Sequence, residues 1–236
     1  MGHLPAGRQL GLFPGSQHEP TSQVTSPILH AEPAEPPSPD PADQQGATGK
    51  PELLNALADS ARDCRACSLR AGCRSVVFGE GDPCARLVLV GEGPGQVEDE
   101  LARPFVGPAG QLLDRILAAA DFRRQDVFIT NVVMCRPPGN RVPLPGEVAA
   151  CRPWLDRKLA IIRPRIIVCL GALAIQTLIE TGLPVGRARG RWFERDDSFV
   201  LATYHPAAIL RDPGKRRPVW EDFCRVRSRY LESTAR

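Results

Sequence analysis

Chemistry in this sequence gathers at three short motifs. The first is Gly91-Glu92-Gly93-Pro94-Gly95, followed by Glu98, Asp99 and the stretch Arg103-Pro104-Phe105-Val106-Gly107. It is no pyrophosphate loop: the G-x-G-x-x-G spacing is not met, Pro94 removes a backbone donor and Glu92 repels phosphate. No nucleotide cofactor is therefore expected. What remains is tight backbone that a flat group can approach, with carboxylates beside it and an aromatic ring close behind. The second motif runs Thr130-Asn131-Val132-Val133-Met134-Cys135-Arg136-Pro137-Pro138-Gly139-Asn140-Arg141. An Asn at a strand end presents an acceptor and a donor in one plane, which suits the edge of a planar heterocycle; a lone Asn there is ordinarily a turn residue. The third is Tyr204-His205-Pro206-Ala207-Ala208-Ile209-Leu210. Of four histidines, three (His3, His18, His30) lie in the first 50 residues, so His205 is the only imidazole of the folded part. A lone His is more often structural than catalytic, but this one directly follows a strand and precedes a Pro.

These motifs need elements to hold them. Arg86–Val90, Val127–Val133, Arg165–Leu170 and Phe199–Tyr204 are short β-branched or Leu runs that read as strands. Glu52–Arg62, Ala109–Ala120, Glu147–Ile162, Gly171–Glu180 and Pro218–Leu231 read as helices, and Gly190–Phe193 as a small hairpin strand. Strands alternating with helices predict a three-layer α/β/α fold around a central, mostly parallel four-stranded sheet. Ligands in such folds sit beyond the carboxyl ends of the strands, and that is where all three motifs fall.

Composition divides the chain in two. Residues 1–50 hold nine prolines, one aromatic (Phe13), two basic and five acidic residues, and 13 apolar ones. Such a segment cannot bury enough surface to offset its chain entropy, which predicts a disordered tail before a folded domain at 51–236. The whole chain carries +3, but without the tail (+2 −5) the domain carries +28 −22 = +6. A basic domain ending in Arg211, Lys215, Arg216 and Arg217 and further arginines fits an anionic partner, nucleic acid first. The longest apolar run, Ile166–Ile175, is about half of what a bilayer requires, and no secretory signal is evident. A cytoplasmic, nucleoid-associated monomer is expected. Eight cysteines in a reducing compartment read as metal or cluster ligands plus core residues rather than disulfides.

In order, the blocks GEGPG…ED…PFVG.AG.LLDR, NVV.CRPP.NR and YHPAA.LRDP…KRRPVWEDF resemble the family-4 uracil-DNA glycosylases, over nearly all of residues 60–225. The resemblance implies a base-excision repair enzyme that flips uracil out of DNA and hydrolyses its N-glycosidic bond. It implies that Phe105 stacks on the base and that Asn131 reads its edge, accepting from N3–H and donating to O4. Glu98 would crowd out the 5-methyl of thymine, and His205 would stabilise negative charge on the departing base. Glu92 and Asn140 would support attack by water, without deciding which of them positions it. Ile209 or Leu210 would fill the gap left by the base, and Arg211, Lys215, Arg216 and Arg217 would hold phosphates. Cys64, Cys67, Cys135 and Cys151 match the family's ligands for one structural [4Fe–4S] cluster; spacing alone suits zinc equally. Cys73 could compete as a ligand, Cys169 reads as a small core residue, and Cys84 and Cys224 have no assigned role. Met134 departs from the Lys usual before Cys135.

Two other readings compete. Covalently cross-linking relatives carry a basic insertion ending in a reactive His after the second motif, which Cys135–Arg141 lacks. A non-catalytic cluster-bearing DNA-binding module would not need Glu92, Asn131 and His205 together. In the tail, Gln9-Leu10-Gly11-Leu12-Phe13 resembles the peptide by which bacterial repair proteins dock onto the sliding clamp; Gln9, Leu10, Leu12 and Phe13 would be its contacts, pointing to a bacterial source.

Overall fold

The computed structural model describes residues 49–179 and 182–233. The proposed tail and its clamp motif, Gln9 to Phe13, lie outside the described residues. Helices are α1 (Lys50–Arg62), α2 (Leu69–Gly72), α3 (Gln96–Leu101), α4 (Pro108–Ala119), α5 (Pro145–Ile162), α6 (Ala172–Ile179), α7 (Val185–Ala188), α8 (Pro206–Arg211) and α9 (Arg216–Glu232). Strands are β1 (Glu80–Gly81), β2 (Leu87–Gly91), β3 (Phe128–Asn131), β4 (Ile166–Leu170), β5 (Trp192–Arg195) and β6 (Ser198–Thr203).

The sheet has the order β1-β3-β2-β4-β6-β5. Its four middle strands pair in parallel, and β1 and β5 add antiparallel edges. The expected four-stranded sheet is thus corrected to a mixed sheet of six. The physical reason is length: two residues at Glu80–Gly81 carry no periodic signal. The hairpin strand expected at Gly190–Phe193 runs Trp192–Arg195 instead, and turns back through Asp196 in a left-handed conformation (φ 49).

Side chains of a strand alternate between faces, and here both faces are covered. Leu87, Leu89, Ile129, Ile166, Val168 and Leu201 meet Leu113 and Leu117 of α4 and Val219, Phe223 and Val226 of α9. Val88, Val90, Phe128, Ile167, Cys169 and Val200 meet Leu155 and Ile162 of α5 and Ala174, Ile175 and Leu178 of α6. Three layers follow. Pro108, Pro145 and Pro206 each open a helix at its first turn, where their missing N–H is no loss. No helix among the described residues is long and apolar enough to cross a membrane.

The chain runs from β2 to β3 on one side and then crosses β2 to form β4 on the other. This reversal of strand order opens a crevice at the carboxyl end of β2. One close approach shapes it. In α4, a Cβ on Gly110 would lie 1.9 Å from the carbonyl oxygen of Phe105, so glycine alone lets this helix press against the Phe105 backbone. Ala favours a helix over Gly by about 1 kcal/mol, but the clash is with backbone and should outweigh that gain. Gly110→Ala is expected to lower stability by about 2 kcal/mol, read as a thermal midpoint lower by roughly 4–8 °C; an unchanged or higher midpoint would contradict the packing constraint.

Candidate active site

The carboxyl ends of the four parallel strands open into one cavity of about 510 Å³. Glu92 follows β2, Asn131 ends β3, Leu170 and Gly171 lie at the end of β4, and Tyr204 and His205 follow β6; all line it, with Glu98, Phe105, Asn140 and Arg211. The three sequence motifs therefore meet in one place.

Asn131 pairs across to Gly91 in the β2–β3 ladder. Its side chain is 1 % exposed, and its Oδ1 is buried with no hydrogen-bond partner. A Cβ on Gly91 would fall 2.4 Å from that oxygen and 2.5 Å from the Phe105 ring. The absence of a side chain at position 91 is what lets the amide and the ring share the cavity floor. Phe105 takes a left-handed backbone conformation (φ 51), uncommon for a residue with a bulky side chain. Its ring centroid lies 5.4 Å from that of His205.

His205 caps α8, its Nδ1 accepting from the Ala207 N–H at 3.1 Å. Burial, and then the positive charge of Arg211, lower its pKa to about 4 against the opposing pull of Glu98. The ring is therefore neutral at neutral pH, and with Nδ1 an acceptor its proton sits on Nε2. Below it, the Thr203 hydroxyl donates to Asp222 at 2.6 Å, and Arg189 clamps the same carboxylate at 2.7 and 3.0 Å. This buried network ties the end of β6 to α9. Glu92 has its carboxyl raised by burial, partly offset by Arg211.

Glu98 has a part that its sequence position does not suggest. Its Oε1 accepts the N–H groups of Val106 (3.0 Å) and Gly107 (2.7 Å), pinning the Phe105 loop at the start of α4. Asn140 is likewise engaged: its Oδ1 accepts from Arg136 Nε at 2.7 Å. The next residue, Arg141, grips Glu147 of α5 at 2.7 and 2.8 Å. Glu147 also accepts from the Leu144 N–H at 2.7 Å and the Ser68 hydroxyl at 3.2 Å. These donors, the Arg141 guanidinium first, hold its pKa at about 2.

Ser68 adjoins the pair Cys64 and Cys67, and one turn after Glu147 comes Cys151. The thiols of this corner feel one another: burial, then the neighbouring Cys73, Cys151 and Cys67, push Cys135 up. Burial chiefly raises Cys151, with Cys67 and Cys64 adding and the Met134 N–H and Lys158 opposing. Among the described residues no three His, Cys, Asp or Glu side chains are arranged to hold a single metal ion. Cys135 and Cys151 are buried and Cys64 and Cys67 half-buried, and soft sulfur donors gathered in one corner are of the type a metal–sulfur group takes. Cys169 is fully buried in β4.

One expectation needs correction. Ile209 is 2 % exposed and packed in the core beneath α8, so it cannot enter DNA; on a short helix one apolar side chain turns inward, and the next, Leu210, is 50 % exposed. Arg211 faces the cavity, where its charge acts on Glu92 and His205. Lys215 pairs with Asp212 and lies over the Tyr204 ring, Arg217 pairs with Glu221 at 3.1 Å, and Arg216 is exposed. Sequence reasoning misses Arg136, Arg141 and Glu147; their only signal is proximity in sequence to Asn140 and Cys151.

Known proteins resemble this chain over most of its length. Residues 78–224 match the family model described as the uracil DNA glycosylase superfamily. A type-4 uracil-DNA glycosylase of Thermotoga maritima is 42 % identical over 183 residues, covering 75 % of this chain and 94 % of the relative. One from Archaeoglobus fulgidus is 41 % identical, covering 74 % and 92 %. A type-5 uracil-DNA glycosylase of Thermus thermophilus is 36 % identical over 118 residues, covering 44 % and 53 %. With an imidazole, an amide and an aromatic ring converging where strand order reverses, and with these matches over most of its length, the chain belongs to the uracil-DNA glycosylase superfamily, in its type-4 family.

Proposed function

We propose that this protein excises uracil from DNA by hydrolysing the bond between uracil N1 and deoxyribose C1′, leaving an abasic site for repair. The observation that carries this reading is the buried, unpartnered Oδ1 of Asn131 beside the Phe105 ring. A buried acceptor without a donor is costly, and N3–H of an extruded uracil would supply the donor. The amide N–H of Asn131 would then give to O4. Cytosine presents an unprotonated N3 and an amino group at those positions, so it would leave both partners mismatched.

The base enters the cavity by leaving the stack and lies against Phe105. As the N1–C1′ bond breaks, its electron pair moves onto the uracil ring and O2. Neutral His205 donates from Nε2–H to O2, a preorganised donor where charge develops. Water oxygen bonds to C1′ as the N1–C1′ bond breaks, and its proton passes to the Glu92 carboxylate and from there to solvent, while the released uracil anion takes up a proton in turn. Glu92, which lines the cavity just past β2, is the acceptor that orients the water, and its negative charge favours oxocarbenium character at C1′. Glu98 supports the pocket wall at C5. Outside the cavity, Leu210 fills the vacated stack, and Arg216 with its basic neighbours holds phosphates.

Cys64, Cys67, Cys135 and Cys151 are proposed to hold one [4Fe–4S] cluster, with Cys73 as a neighbouring thiol. When bound it would cross-link the α1–α2 loop to the segment after β3 and to α5.

Asn131→Asp should relax the preference for uracil over cytosine in excision assays on matched oligonucleotides; an unaltered preference would argue against edge reading. In nitrogen-detected NMR, His205 should show the Nε2–H tautomer at pH 7 and titrate near pH 4, with kcat/KM falling as pH drops through that value. A ring that protonates near its ordinary value of about 6.5 would contradict the neutral-donor role. Freshly purified protein should be brown and carry about four irons, whereas a colourless protein with one zinc would refute the cluster.

A further inference from the structure

Phe105 holds a left-handed backbone conformation (φ 51) that an aromatic residue does not choose by itself. Something must over-determine it. Arg124, in the 3-10 turn Arg124–Asp126 that leads into β3, is placed to do so. Its Nε and Nη2 donate to Glu80 Oε1 at 3.0 and 2.7 Å. Its Nη1 donates to Asp114 Oδ1 at 2.6 Å and to the Phe105 carbonyl at 3.2 Å. Its Nη2 also donates to the Pro104 carbonyl at 2.6 Å. These are the five N–H donors a guanidinium has.

Two of the five go to carbonyls that belong to the peptide planes on either side of the Phe105 Cα. Fixing both planes fixes the φ and ψ of Phe105, and with them the direction of its ring. Glu98 holds the second plane from the other side through the Val106 N–H. Arg124 itself does not line the cavity.

We propose that Arg124 is a positioning residue for uracil recognition, holding Phe105 as a preformed stacking platform over Gly91. The inference rests on the stacking role given to Phe105 above. Lys at position 124 would keep the charge but not the planar fork that spans four acceptors. The competing explanation is that Arg124 merely ties β1 to α4.

The two are separated by a double-mutant cycle on the full-length protein, using Arg124→Lys, Phe105→Ala and the combined variant. The readouts are inhibition by free uracil, binding to a uracil-free duplex, and thermal midpoint. Arg124→Lys should weaken uracil inhibition on the order of 5-fold, the scale of an aromatic stacking contact, with uracil-free duplex binding unchanged. In the Phe105→Ala background it should cause no further loss. Equal loss in both backgrounds, or a lowered midpoint with wild-type uracil inhibition, would overturn the inference. If Arg124→Lys does not fold, Asp114→Asn, which removes one carboxylate partner, takes its place in the cycle: a loss of uracil inhibition confined to the Phe105 background supports the inference, and an equal loss in both overturns it. Wild-type uracil inhibition by Phe105→Ala alone would overturn the stacking role itself and this inference with it; a loss there, with none from Arg124→Lys, would overturn only the inference.

Discussion

A buried amide oxygen with no donor costs on the order of 1–3 kcal/mol, and this fold keeps one at the end of β3. Everything around Asn131 serves to prevent its relief. The β2–β3 ladder continues to Gly91 and beyond, with the Val132 N–H bonded to the Gly91 carbonyl at 2.9 Å. The amide therefore hangs from regular strand, not from a loop that could turn it toward another partner. Gly91 leaves the space that the oxygen and the Phe105 ring occupy. Fully buried strands on both sides make the sheet stiff enough to hold an unsatisfied group in place until a ligand satisfies it. The cavity is thus defined by what the sheet withholds as much as by what it presents.

The remaining charges are arranged in the same spirit. Arg211 lies where its field acts on both Glu92 and His205, favouring the ionised carboxyl and the neutral ring. One cation thereby favours the deprotonated form of both groups, while burial, the larger influence, raises the carboxyl and lowers the imidazole. The sequence shows its charge but not that it lines the cavity, because helix α8 is too short for periodicity to show which way a side chain faces.

The strands are legible because parallel strands buried on both faces are continuous apolar runs, and the site because its members sit directly at their ends. Glu92, Asn131 and His205 each lie at or within two residues of the end of the strand that carries them. Arg124 and Glu80 are not legible, since a guanidinium that grips carbonyls some twenty residues away leaves no local pattern. Glu98 reads as a contact to the base, while its bonds to Val106 and Gly107 depend on a loop closure that spacing does not reveal. Ile209 and Leu210 differ by one position on a short helix, and only the packing of α8 against α4 separates them. The edge strand β1 is two residues long, below the length at which alternation has meaning.

One carboxylate in α5 is shared by two loops. Glu147 receives Ser68 from the thiol-bearing segment and Arg141 from the segment that carries Asn140. Three side chains thus connect the thiol-bearing segment to the loop that carries Asn140 at the rim of the cavity, while the sheet stands apart from them. Removing that single carboxylate would free both loops at once and leave the packed sheet intact, so the two ends of the molecule's irregular backbone rise or fall together.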